Sequence, residues 1–197
     1  EVVLQRIFDQ LGKWRHLPSY KLENRVDAYF GMFMDTVITK HFGVKVKGVI
    51  PEFPLRLGSL YPEGQPDKEY KGNPANDNHS KKVDFAVFSE ETIYLVELKT
   101  DMGSKNDEQE EYLRRALKIP FNVLIEDVLS MAQVSNYKAK YIHLLHELSK
   151  CEVFSLTEDI YKHLKPNHRV GIKNEIEKLK DNLNLNSREV KVVYVQP

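Results

Sequence analysis

Apolar positions in the opening stretch of the chain recur at helical spacing. Val2, Val3, Leu4, Ile7, Phe8 and Leu11 predict a short amphipathic helix within residues 1–16 that ends near Gly12. After Pro18-Ser19, the series Leu22, Val26, Tyr29, Phe30, Phe33, Met34, Val37 and Ile38 predicts a stronger helix over 19–41, with Gly43 as its stop. The period then shortens. Val44-Lys45-Val46-Lys47 alternates and runs into Val49-Ile50, a first strand, before Pro51 and Pro54 restrict the backbone. Residues 58–80 are rich in Pro, Gly, Asn and Asp and read as a long loop, a length that in a compact domain is usually functional or disordered. Two short apolar stretches follow, Lys82–Phe88 and Ile93–Lys99, split by the polar turn Ser89-Glu90-Glu91-Thr92; both read as strands.

Helical spacing resumes after the candidate cap Ser104 with Tyr112, Leu113, Ala116 and Leu117, and stops at Pro120. Leu124, Val128, Leu129, Ala132, Tyr137, Tyr141, Leu144, Leu145 and Leu148 predict one or two helices over 121–149. Thr157 is placed to cap a short helix reaching Leu164, and another helix is expected over 171–183. Val190, Val192, Val193 and Val195 predict a closing strand. Strands alternating with helices over 197 residues indicate one α/β domain spanning 1–197, with a helical region at 120–187.

The two middle strands carry charge where a buried strand should carry none. Side chains alternate faces, so Ile93, Leu95, Glu97 and Lys99 share one side, and Tyr94, Val96 and Leu98 the other. Asp84 shares a side with Ala86 and Phe88. If the strands pair as a hairpin, Asp84 meets Glu97 and Lys99 at one end of a sheet. Two carboxylates and an ammonium are expensive to desolvate there, and a divalent metal with an anionic substrate would offset that cost. The plainer alternative is an edge hairpin whose charges face water as a weak cross-strand ion pair.

Composition narrows the chemistry. With 29 basic and 29 acidic residues the chain is no basic scaffold that coats nucleic acid by bulk charge, although a local basic groove is compatible with that balance. A lone Cys151 excludes an internal disulfide and sets a reducing cytoplasm as the expected compartment. No apolar run approaches the ~20 residues of a membrane span, so no membrane partner is expected. Gly31 and Gly43 stand isolated, with no Gly-Lys-Ser/Thr loop for nucleotide phosphates. His143 and His146 lack a third ligand nearby, which argues against zinc chemistry.

The order helix, strand, loop, strand with Asp, strand with Glu-x-Lys, helices, strand resembles the PD-(D/E)xK nuclease superfamily. The motif is carried by Val83-Asp84 and Glu97-Leu98-Lys99, with Val83 where the family usually has proline. The resemblance covers roughly 19–117 and the last strand, and fades over 120–187. It implies a restriction-endonuclease-like mixed β-sheet flanked by helices, with additional C-terminal helices. It also implies phosphodiester hydrolysis of nucleic acid, DNA foremost, dependent on Mg2+ or Mn2+. Asp84, Glu97 and the main-chain carbonyl of Leu98 would be the metal ligands, and Lys99 would orient or deprotonate the attacking water. The family often places a glutamate on the first helix; Glu23 fits that place, with Asp27 one turn on as the reserve.

Gln109 and Tyr112, on the helix after Glu-x-Lys, are similar to a feature of RecB-type exonuclease domains and would face nucleic acid; Gln133 and Tyr137 form a more distant pair. Lys82, beside Lys81 and Asp84, is a candidate phosphate contact or plain soluble surface. A homodimer or a larger complex is compatible with such an enzyme. Two alternatives stand beside it: a catalytically inactive nuclease-like module that binds nucleic acid or a partner protein, and an α/β domain with an unrelated ligand beside the 58–80 loop.

Overall fold

The computed structural model of the chain describes residues 5, 23–62, 78–99, 107–136, 138–156, 176–180, 185 and 187–195. Helix α1 (Glu23–Phe42) ends where Gly43 takes a left-handed φ of 69° and its N–H returns to the Thr39 carbonyl at 2.9 Å. Met34 and Ile38 point inward from α1 and pack on Phe85, Val87, Tyr94, Val96 and Leu98, one face of the sheet. Phe42 stacks on Tyr94 with ring centroids 4.6 Å apart.

Strand β1 (Val46–Arg56) does not stop at Pro51 as the sequence pattern suggests. It runs through both prolines, and the sheet order explains why: β1 is an edge strand, where a missing N–H is tolerated. The long loop also starts later than expected. Leu57–Leu60 forms a short helix, α2, that buries Leu57 and Leu60, and β2 (Ser80–Ser89) is already strand at Ser80. Residues 63–77 lie outside the described residues.

Strand β2 pairs antiparallel with β1 and with β3 (Thr92–Leu98), and β4 (Glu189–Val195) lies parallel to β3. The result is a four-stranded mixed sheet in the order β1-β2-β3-β4. Every residue of β3 is buried, as befits a central strand covered on both faces. A parallel neighbour requires a long crossover, and the chain between β3 and β4 supplies it with α3 (Asp107–Ala116), α4 (Phe121–Val134) and α5 (Lys138–Lys150). These helices cover the second face: Leu113, Leu124, Val128 and Leu145 pack with Ala86, Phe88, Ile93 and Leu95. The end of α5 comes so close to β1 that a Cβ on Gly48 would stand 2.5 Å from Cys151 Sγ, so position 48 has no room for a side chain.

The apolar run at 121–149 is thus two helices. The helices expected within 1–16 and from Thr157 to Leu164 fall outside the described residues; of the one expected at 171–183, residues 176–180 are described and are helical. Among the described residues no helix is long and apolar enough to cross a membrane.

Candidate functional site

The sheet forks at its centre. Pairing of β1 with β2 continues to Arg56 opposite Ser80, and pairing of β3 with β4 continues to Leu98 opposite Val195. Between β2 and β3, however, it ends at Phe85 opposite Val96. Beyond that point Asp84 stands on one lip, and Glu97, Leu98 and Lys99 on the other. The Leu98 N–H, which an unbroken ladder would give to a backbone carbonyl of β2, donates to Asp84 Oδ2 at 2.7 Å. A charge-assisted bond replaces a ladder bond and fixes the aspartate in the fork.

Glu97 continues the face of Ile93 and Leu95, so the alternation that buries those two also buries a carboxylate, which is only 3 % exposed. Lys99 follows at 9 % exposure, its Nζ 3.7 Å from Glu97 Oε1. Gln109, in the first turn of α3, links the two: its Nε2 donates to Glu97 Oε1 and its Oε1 accepts from Lys99 Nζ. Glu97 Oε2, also buried, meets no hydrogen-bond donor among the described residues. Burial raises the Glu97 carboxyl to about 8, the neighbouring Asp84 charge adds to the rise, and Lys99 opposes it.

Once Glu97 is ionised, above about pH 8, a buried carboxylate oxygen that meets no donor among the described residues, next to a second carboxylate, is an unmet electrostatic demand. A hard divalent cation fits that demand. Among the described residues no group of three or more His, Cys, Asp or Glu side chains gathers, so the fork offers two carboxylates and nearby carbonyls. Magnesium is commonly held by one or two carboxylates, with waters and substrate phosphate completing its octahedron.

The surrounding residues hold the lips in place. Tyr112 is buried on α3 and its hydroxyl donates to the Lys82 carbonyl at 3.0 Å. Burial, with the Glu97 charge as the second cause, pushes its phenol well above the usual range, so it stays a donor. Lys81 pairs with Glu108, a second tie between β2 and the start of α3. Lys82 is exposed and pairs with Glu52 at 2.8 Å.

The fork therefore brings together Asp84, Glu97, Leu98, Lys99 and Gln109. Tyr112 joins from beneath, through its bond to the β2 backbone, while the Lys82 side chain stays at the surface. Glu23 is the first residue of α1, but its side chain and that of Asp27 lie outside the described residues. Gln133, on α4, accepts from Lys180 Nζ at 2.9 Å, and Tyr137 is outside the described residues. A cleft of about 320 Å3 on α3, lined by Leu60, Pro62, Glu111, Arg114, Arg115 and Lys118 among others, shares no residue with the fork. Arg114 and Arg115 there both pair with Glu111. Glu52 on β1 lies across from Asp84 with a φ of 51°, and no residue type in Pro51-Glu52-Phe53 signals that conformation. Comparison with protein-family models, with curated proteins and with solved structures returned no match.

Proposed function

We propose that the fork is the catalytic centre of a divalent-metal-dependent nuclease of the PD-(D/E)xK type, hydrolysing phosphodiester bonds in nucleic acid, with DNA as the first substrate to try. One observation carries the reading: buried Glu97, with an oxygen that meets no donor among the described residues, lies beside Asp84 and 3.7 Å from the Lys99 ammonium. Element order supports it as well. A helix, three antiparallel strands, helices and a strand parallel to the third is the arrangement expected of a restriction-endonuclease-like fold.

In this reading Asp84, Glu97 and the Leu98 carbonyl hold Mg2+, or Mn2+ in its place. The bound ion supplies charge neutralisation and polarisation of the scissile phosphate. The chain's own groups do the rest. Lys99 holds the attacking water and takes or shares its proton, at a distance from Glu97 that Gln109 fixes through both of its amide atoms. Tyr112 keeps α3, and with it Gln109, anchored to the β2 lip. Glu23, or Asp27 one turn later, would add an acid from α1.

The second reading is a nuclease-like module that binds nucleic acid or a partner protein without cutting. The balance of 29 basic against 29 acidic residues favours it, because tight hold on a polyanion draws on surplus cations. A cleavage screen over single- and double-stranded DNA and RNA, with Mg2+ or Mn2+ against EDTA, separates the two. Metal-dependent cutting of at least one substrate is expected; binding without cutting across the screen would establish the inactive module.

A further inference from the structure

Strands β1 and β2 change phase together at one place. On β1, Ile50 and then Phe53 and Leu55 face the three-helix side; on β2, Phe88, Ala86 and then Val83 face it. Strict alternation would bring Glu52 and Asp84 to that side and turn Phe53 and Val83 away. The half-step falls at Glu52, whose φ of 51° lies in the left-handed region, a strained conformation for a residue with a side chain. Its neighbours Pro51 and Phe53 pair with Phe85 and Val83, so Glu52 stands directly across from Asp84. The β1–β2 pairing survives the half-step, but the β2–β3 pairing ends beside it, at Phe85 and Val96.

We infer that Glu52 is a positioning residue: its left-handed backbone turns the β1–β2 ribbon away from β3, opening the fork and placing the Asp84 carboxylate against the Leu98 N–H. The backbone, not the carboxylate, does this. The Glu52 side chain is exposed and pairs with the exposed Lys82, a contact of the kind that contributes little. Strain of this sort persists where the surrounding structure enforces it, and it concentrates at functional sites. The role in catalysis rests on the nuclease reading; the role in placing Asp84 does not.

The test compares Glu52→Gly, Glu52→Gln and Glu52→Val in the full chain, following the Leu98 amide by NMR. Gly adopts the left-handed region freely and Gln as readily as Glu, whereas a β-branched Val resists it. The first two should keep the Leu98 amide shift and its protection from hydrogen exchange. Val should lower that protection about tenfold while amides at the paired Val87 and Tyr94 stay protected. If the wild type cuts nucleic acid, Glu52→Val should also lose ~100-fold in kcat with KM little changed, and Gly and Gln should not.

A Leu98 amide untouched by Val overturns the inference, as does one displaced equally by Gln, which would assign the effect to the ion pair. Should Glu52→Val fail to fold, Glu52→Gly decides. A glycine that holds or raises Tm marks a relieved left-handed residue, and one that lowers Tm, as in an ordinary strand, overturns the inference. A wild type that cuts nothing removes the nuclease reading and leaves the amide result standing.

Discussion

Lys99→Met is expected to lower metal-dependent cleavage by ~10²- to 10⁴-fold, the range that general acid–base catalysis usually supplies. Methionine keeps an unbranched apolar stem in a nearly buried position and removes only the ammonium. Nucleic-acid affinity should change little, because the Lys99 ammonium is held against Gln109 and Glu97 and its loss removes a single cation. Lys99→Arg sharpens the result. Arginine keeps the positive charge but cannot give up a proton in a protein, and its planar fork does not fit the amide oxygen of Gln109 as an ammonium does. If Lys99 moves a proton, Arg should be nearly as inactive as Met; a largely active Arg variant would reduce Lys99 to a fixed charge. Single-turnover cleavage rates measured beside binding isotherms separate these outcomes.

The second large effect is on stability and depends on pH. Glu97 is raised from 4.5 in the unfolded chain to about 8 in the metal-free fold, by burial first and by the Asp84 charge second. Between those values the folded protein keeps a proton that the unfolded chain has lost. The folded state therefore binds more protons, and stability falls as pH rises through that window. Its contribution is fully present below pH 4.5 and is lost above about pH 8. The loss is bounded by ~5 kcal/mol, less whatever the fork relaxes or hydrates.

Glu97→Gln carries no proton to lose, so its stability in EDTA should stay flat where the wild type declines, and at pH 8.5 it should be the more stable protein by roughly 2–4 kcal/mol. Mg2+ should reverse that order. Saturating metal stabilises only the chain that binds it, by ~4.1 kcal/mol at a thousandfold excess over Kd, enough to overtake that difference. Urea melts across pH 5–9, with and without Mg2+, check both halves; parallel wild-type and Glu97→Gln curves would contradict the assignment of Glu97 as the strained carboxylate.

The part of this site that was legible in sequence is the part governed by period. Alternation in Ile93-Tyr94-Leu95-Val96-Glu97 places the carboxylate on the face of Ile93 and Leu95, and the short polar turn places Asp84 opposite it. What depends on neighbours far away in sequence was not legible. Pro51 and Pro54 looked like a strand end because nothing local says that β1 is an edge. The valines of β4 predicted a strand but not that it would lie parallel to β3.

The resemblance to RecB-type exonuclease domains implied a nucleic-acid contact at Gln109; its link between Glu97 and Lys99 depends on the first turn of α3 coming back over the end of β3. Tyr112 is likewise placed by the helix's inward face, with its hydroxyl taken by the Lys82 carbonyl. Glu52 left no trace at all. No residue type in Pro51-Glu52-Phe53 marks a left-handed backbone, so period and composition pass over it.

A nuclease centre at the fork requires Asp84 and Glu97 to share one divalent cation. Anomalous diffraction from crystals soaked in Mn2+ above pH 8 tests it most directly. A single strong peak is expected within bonding distance of both carboxylates and near the Leu98 carbonyl, absent from Asp84→Asn crystals treated alike. A fork without anomalous density, or manganese held only elsewhere on the chain, would contradict it.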